Sequence, residues 1–246
     1  MDGNTSNKVL EQKMLSRFHK ALSKYRLIED GDNILVGLSG GKDSLCLLEF
    51  LAKRAKIHMP SFKVGAVHVR MENINYLSDA TYLEDFARQL DVPLHIVNTR
   101  FQVIEGAKKP ACFLCSWHRR KEIFNLAQSL NYNKIALGHH MDDILHTSLM
   151  NIFYQGHFST MPVKLAMRKM PLTIIRPLCL ETEQDIRKYA ELHNYKKQIK
   201  QCPYENESTR SSIRKIFEDI VNLNSESRYS MWKALESEGK LIELHI

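Results

Sequence analysis

Ser39-Gly40-Gly41-Lys42-Asp43-Ser44 places two hydroxyls, two glycines, an ammonium and a carboxylate within six residues. Leu38 and the apolar run Ile34–Val36 lead into it, and LCLLEFLAKRA follows at once. That order reads as a buried strand, a tight turn and the N-terminus of a helix. Glycine lets backbone approach an anion closely, and the first N–H groups of a helix have no partner inside it. The helix dipole adds partial positive charge at the same end. Ser39 and Ser44 can donate to phosphate oxygens, Lys42 can neutralise charge, and Asp43 can hold a cation or take a proton. Leu38–Ser44 is therefore a candidate phosphate site. The competing reading is an ordinary turn that uses Ser and Asp as helix caps.

Cys112 and Cys115 form C-x-x-C at what reads as a loop–helix junction. That spacing lets two thiolates converge on one metal or cluster. Three readings stand: a redox pair, which the flanking residues do not suit; a zinc site, which needs four ligands; and an iron–sulfur cluster held by three cysteines. Cys202, in the turn-forming KQCPYE, is the candidate third ligand. Cys46 in LCLLEF and Cys179 in PLCLE read as buried structural thiols.

A second strand–helix junction carries Gly138-His139-His140-Met141-Asp142-Asp143. Adjacent strands of a doubly wound sheet bring such junctions to one crevice. Asp142 and Asp143 offer hard oxygens for Mg²⁺, or cap the helix. Gly138, His139 and His140 can contact or support a nucleotide, and the H-E-x-x-H zinc pattern is absent. His68, in AVHVRM, is a solitary histidine on a β-rich run, which reads more simply as satisfied structure.

Basic residues gather beside these stretches. Arg119, Arg120 and Lys121 follow the C-x-x-C, Lys164, Arg168 and Lys169 lie in an expected loop, and Arg210, Arg214 and Lys215 follow Cys202. Such groups contact nucleic-acid phosphates, or are a solvated face. Trp117 and Tyr204 are candidates for stacking on an unpaired base, with a core role the alternative for Trp117.

These residues must be positioned by a chain of 246 residues with 43% apolar and 26% charged content, ordinary for a globular α/β protein. The net charge of +7 favours a polyanionic partner without proving one. No apolar run approaches the ~20 residues that span a membrane. The N-terminus lacks the apolar segment of a signal peptide, so a cytoplasmic protein is expected. Five cysteines there are no disulfide framework. The fold class expected is α/β, a doubly wound, mostly parallel sheet with helices on both faces. Strands are expected at 34–36, 62–69, 93–98, 134–137 and, last, 172–176. Helices are expected at 10–26, after Ser44, at 76–90, 116–130, 143–154, 183–193 (capped by Thr182) and 209–223. Residues 1–9 read as disordered, 156–171 as a loop, and 225–246 as a polar tail. The organisation expected is a helical extension (1–26), an α/β domain carrying the candidate phosphate site (27–200) and a helical segment with the third cysteine (201–246).

The turn is neither a Walker A loop nor G-x-G-x-x-G. It resembles the PP-loop, SGGxDS, of the ATP pyrophosphatases, with all fixed positions present. That resemblance implies cleavage of ATP between its α and β phosphates, transfer of AMP to a substrate, and an adenine-reading role for backbone at Val67 and His68. LSGGKDSLCLL, CFLCSWHRR, IALGHHMDDILHTSLMNIFYQG, MPVKL, IIRPL and QC, in that order over about residues 20–220, resemble the tRNA 2-thiocytidine synthetase branch. The branch implies a [4Fe–4S] cluster on Cys112, Cys115 and Cys202, with one iron open to carry sulfur. It also implies tRNA as partner, cytidine in the anticodon loop as target, a sulfur donor such as a cysteine desulfurase, and a homodimer. One departure is visible. Some members carry a second C-x-x-C in the last segment, whereas Cys202 here is followed by Pro203, Tyr204 and Glu205.

The expected reaction is therefore adenylation of a pyrimidine carbonyl of tRNA by ATP-Mg²⁺, with Asp43, Asp142 and Asp143 near the metal, followed by sulfur transfer. Other readings are persulfide relay on the cysteines with structural zinc, a lysidine-type ligase using nitrogen, and a non-catalytic nucleotide- or RNA-binding module.

Overall fold

The structure is a computed structural model that describes residues 3–76, 80–101, 111–196, 200–201 and 209–244. The chain divides into two compact units. One comprises Ile28–Gly138 and Ile186–Glu205, the other Met1–Leu27, His139–Asp185 and Asn206–Ile246. Among the described residues, no helix is long and apolar enough to cross a membrane.

The first unit is built on four parallel strands: β1 (Asn33–Gly37), β2 (Lys63–Met71), β4 (Leu94–Thr99) and β5 (Lys134–Ala136), in the order β4-β2-β1-β5. Strand β1 is central because Ile34, Leu35 and Val36 are consecutive apolar residues, all fully buried. Val36 is flanked in register by Ala66 and Ala136. Helices α2 (Lys42–Ala55), α3 (Thr81–Gln89) and α4 (Ala111–Ser129) connect the strands. Order β2-β1-β5 means that the chain leaves β1 on one side and returns on the other, which creates a switch point at the carboxyl ends of β1 and β5. A two-residue strand, β3 (Asn75–Tyr76), pairs antiparallel with β8 (Lys200–Gln201). The mostly parallel α/β fold expected is the fold observed.

Asp32, Glu49 and Lys134 are buried in this unit and paired. Lys134 Nζ lies 2.7 Å from Asp32 Oδ2. Glu49, inside α2, accepts from Lys53 at 2.5 Å, from Tyr189 at 3.0 Å, and from Tyr195. Tyr189 and Tyr195 belong to the stretch around helix α6 (Glu183–Leu192). This network fixes α2, the helix behind the Ser39–Ser44 turn.

The second unit contains α1 (Gly3–Lys24), α5 (Met141–Gln155), β6 (Lys164–Ala166), β7 (Thr173–Ile175), α7 (Thr209–Leu223), α8 (Ser227–Ser237) and β9 (Ile242–Glu243). β6 and β7 form an antiparallel hairpin, and β9 pairs parallel to β6 with Lys164 opposite Ile242. Met14, Phe18, Ala21, Leu22 and Tyr25 make the buried face of α1. Tyr25 Oη donates to Glu236 at 2.8 Å and accepts from Trp232 Nε1 at 3.2 Å, which ties α1 to α8.

Several boundaries differ from expectation. Helix α1 extends back to Gly3, through residues expected to be disordered, and it ends at Lys24 with Arg26 at φ 46°. The C-x-x-C lies inside the first turn of α4 rather than ahead of the helix. Residues 156–171 contain β6, and the strand expected at 172–176 is β7, which β8 and β9 follow, so that it is not the last. The tail holds α8 and β9. Thr182 accepts the Asp185 N–H at 3.2 Å, the expected cap of α6.

Candidate active site

The turn after β1 is held at its start by β2. Leu38 N–H donates to Val67 O, and His68 Nδ1 lies on Leu38 O, both at 2.8 Å. A carbonyl only accepts, so the proton sits on Nδ1. His68 is 2% exposed. Burial is the largest influence on its ring and lowers its pKa; the Leu38 carbonyl opposes this, Arg119 and Arg70 add to it, and the net shift is downward. His68 thus stays neutral and clamps the turn through its side chain.

Gly40 sits at φ 82°, the left-handed region that glycine enters without strain. Ser44 Oγ accepts from Ser39 N–H at 3.1 Å, lies 3.1 Å from Ser39 Oγ, and donates to Gly41 O at 2.9 Å. The two hydroxyls therefore tie the first and last residues of the turn together. Gly41 is the N-cap of α2 and offers no side chain to the helix end, which keeps that end open to an anion. Lys42 Nζ lies 3.1 Å from Asp43 Oδ1, and both side chains are part-exposed at the mouth of the turn.

Gly138, the residue that leaves β5, packs directly on this turn. A Cβ there would lie 3.0 Å from both Asp43 C and Asp43 O, and 3.1 Å from Ser44 N. Only glycine allows the two strand ends this approach. Turn and strand end together form the candidate phosphate cradle, at the switch point of the parallel sheet.

The thiols belong to the same unit. Cys112 and Cys115 are about one helical turn apart at the N-terminal end of α4. Cys112 is exposed and Cys115 half-buried. Cys115, with Ala111 and Leu114, packs on an apolar wall of Met71, Ile74 and Phe101. Two sulfurs about one helical turn apart, backed by apolar side chains, suit a cluster as a donor set. Cys202 and Tyr204 lie outside the described residues. Gln201, next to Cys202 in sequence, pairs with Asn75, which follows Ile74 of the wall. Among the described residues no group of three His, Cys, Asp or Glu side chains could hold a metal ion. Cys46 and Cys179 are buried, as expected.

In the second unit, His139–Asp143 open α5. Asp143 Oδ2 accepts the His140 N–H at 3.2 Å and lies 3.4 Å from His140 Nε2, so this carboxylate caps the helix. Asp142 is buried. Its Oδ2 accepts the Glu183 N–H at 2.8 Å and its Oδ1 accepts Arg228 Nε at 2.7 Å. Burial alone would raise its pKa, but the Glu183 amide and Arg228 outweigh that and hold it below the usual carboxylate range. Met141 N–H donates to Glu181 O at 2.9 Å, so the turn after β7 grips the start of α5 twice. His146, one turn on, is buried with its ring edge-on to Phe217 at 5.1 Å.

The basic residues separate. Arg119, Arg120 and Lys121 lie on α4 in the first unit, Arg119 half-buried and the other two exposed. In the second unit Lys164 lies on β6 and donates to Arg26 O at 2.6 Å, which gives it a structural task. Arg168 and Lys169 are exposed at the tip of the β6–β7 hairpin. Arg214 and Lys215 are exposed on α7, Arg214 3.5 Å from Glu183. Arg210 is on the first turn of α7, with its side chain outside the described residues.

The family model of the PP-loop domain matches residues 10–220. The chain belongs to the PP-loop family. Its relatives in that family include a tRNA-cytidine(32) 2-sulfurtransferase 1 of Francisella tularensis, 33% identical over 96% of this chain and 91% of the relative. A tRNA-cytidine(32) 2-sulfurtransferase of Paraburkholderia xenovorans is 38% identical over 77% of this chain and 57% of that protein. Among solved structures, the U34-tRNA thiolase NcsA from Methanococcus maripaludis with its [4Fe–4S] cluster shares the fold. Its TM-score is 0.77 at 22% identity, covering 94% of this chain and 79% of that one.

Within this PP-loop protein, sequence reasoning missed three contributors. Arg228 stands in a stretch with no motif, and its role is set by a contact 86 residues away. Glu183 contributes a backbone amide, which residue type does not reveal. Gly138 was expected as a nucleotide contact, whereas its steric role depends on which strands are neighbours.

Proposed function

We propose that this chain is an ATP-dependent tRNA sulfurtransferase that converts a cytidine of the anticodon loop to 2-thiocytidine. The observation that carries this is the presence, in one unit, of the phosphate cradle (Leu38–Ser44 with Gly138) and a C-x-x-C on the first turn of α4 against Met71, Ile74 and Phe101. Relatives bearing the name of that activity, matched over nearly all of this chain, support it.

ATP binds with its phosphates on the N-terminus of α2. Lys42 and the turn's amides stabilise the pyrophosphate that leaves when the pyrimidine carbonyl oxygen attacks the α phosphorus. Asp43 holds Mg²⁺ at the mouth of the turn; in the second unit Asp142 and Asp143 are occupied in holding the start of α5. Val67 and His68 support the adenine end of the site through their grip on Leu38. Cys112, Cys115 and Cys202 hold a [4Fe–4S] cluster, which when bound supplies an iron position open to sulfur. Three ligands, not four, are what such an open position requires, and the pairing of Gln201 with Asn75 beside the Cys115 wall supports Cys202 as the third. The activated oxygen leaves as AMP when sulfur attacks the carbon. A cysteine desulfurase-type donor supplies persulfide sulfur, a thiol reductant brings it to the sulfide level with two electrons, and the protein works as a cytoplasmic homodimer.

Nucleoside mass spectrometry of tRNA from a deletion strain tests the assignment. The expected result is loss of 2-thiocytidine, restored by the wild-type chain and not by Asp43→Ala. Unchanged 2-thiocytidine in the deletion strain sinks it.

A further inference from the structure

Helix α4 continues past the cysteines as a solvent-facing stripe. Phe113, Trp117 and Lys121 recur every four residues, so they share one face, with Arg120 beside them. Phe113 is 47% and Trp117 48% exposed, although both lie on a helix whose other face packs on the sheet. Trp117 is held rather than loose. Its ring meets His118 edge-on at 4.9 Å, and Lys121 Nζ stands 5.5 Å from its centroid in cation–π geometry. The one acid of α4, Glu122, is two residues from Arg120 and so projects from the opposite side of the helix. The stripe is thus aromatic and cationic with no acid in it.

We infer that the Phe113–Trp117–Lys121 face is a stacking platform for an unpaired base of the RNA substrate, with Arg120 and Lys121 taking the adjoining phosphates. The inference rests on the tRNA reading above and deepens it by naming the surface. Aromatic rings beside cations are how proteins bind unpaired bases, because every base has a π-face and every nucleotide a phosphate. A duplex offers the phosphates but not the face. Trp117 lies about 8 Å along the helix axis from Cys112. Cys112 is five residues away and so about 140° around the helix axis, which makes the platform a site for a base other than the one that meets the thiol. Charge complementarity selects RNA over an apolar protein partner, since the charged residues of α4 on and beside the platform, Arg120 and Lys121, are cations.

The test is equilibrium binding of the full-length holoprotein to an RNA stem–loop with a pyrimidine-rich loop and to a blunt RNA duplex, across salt concentrations. Trp117→Ala is expected to weaken stem–loop binding about tenfold, leave duplex binding unchanged and keep the salt slope. Trp117→Phe is expected to retain most of the affinity. Lys121→Gln is expected to weaken both ligands and lower the salt slope by about one phosphate contact. The chain has two tryptophans, and Trp232 is 6% exposed. Quenching of fluorescence by the stem–loop should therefore disappear in Trp117→Ala. Stem–loop binding by Trp117→Ala equal to wild type overturns the inference, as does an equal loss for both ligands that Trp117→Phe does not rescue. A Trp117→Ala protein that binds RNA normally but accepts sulfur from inorganic sulfide and no longer from a desulfurase also overturns it, and makes the face a protein-docking surface. Each of these leaves the tRNA reading intact when the wild type still forms 2-thiocytidine. A wild type that neither binds the stem–loop nor thiolates tRNA removes both.

Discussion

Arg228 on α8 reaches back to the first turn of α5 and donates its Nε to the buried Asp142 Oδ1 at 2.7 Å. The guanidinium also lies over the Phe217 ring at 5.6 Å, so α5, α7 and α8 meet at one ion pair. The other Asp142 oxygen holds the Glu183 amide. A C-terminal helix with no motif of its own therefore sets the geometry of His139–Asp143.

Removing one partner of a buried pair leaves an uncompensated charge and costs about 3–5 kcal/mol. Arg228→Ala should lower the unfolding midpoint strongly and reduce tRNA-dependent pyrophosphate release. Asp142→Asn should be milder, because its amide oxygen still accepts the Glu183 N–H. Thermal unfolding of the two variants side by side checks the order; an Arg228→Ala protein as stable as wild type contradicts it.

Gly138→Ala tests the contact between strand β5 and the turn. The added methyl meets the Asp43 backbone at 3.0 Å, and backbone cannot rotate aside as a flexible side chain would. Overpacking of this kind costs about 1–3 kcal/mol. ATP-dependent pyrophosphate release should fall at least tenfold, while the folded protein and its metal content persist. Full activity in this variant means that the turn is not built against β5 as described.

His68 predicts a pH effect. Its pKa is lower folded than unfolded, so between the two values the unfolded state binds more protons. Its contribution is therefore fully present above the unfolded value of about 6.5, and is lost as pH falls through the folded value. His146, also shifted down chiefly by burial, acts in the same direction. His68→Asn keeps an N–H donor near Leu38 O and cannot titrate. It should retain ATP binding and lose stability less steeply below pH ~6.5 than wild type. Parallel stability–pH curves for the two proteins rule this out.

What was legible in the sequence was whatever short-range pattern decides. Ile34–Val36 is a strand because three consecutive apolar residues ahead of a glycine turn must be buried on both sides. α7 was read with its observed bounds because Ile213 and Phe217 repeat at helical spacing. β6 and β9 were not legible: three and two residues carry no periodicity, and their pairing partners come from elsewhere in the chain. The solitary His68 was rightly read as satisfied structure, yet its partner, Leu38 O, is a backbone atom of the candidate site, which no residue pattern can announce. The start of α4 was placed too late because the cysteines were read as a junction, although their three-residue spacing is also that of one helical turn.

The central claim is that activation at Ser39–Ser44 and sulfur delivery at the cysteines are separable halves of one reaction. The most direct measurement follows pyrophosphate and 2-thiocytidine together in anaerobic reactions of the holoprotein with ATP, sulfide and tRNA. Cys112→Ala and Cys202→Ala should release pyrophosphate in a tRNA-dependent manner and form no 2-thiocytidine, while Asp43→Ala should form neither and keep its iron. Full 2-thiocytidine formation by Cys202→Ala, or by Asp43→Ala, would contradict the account.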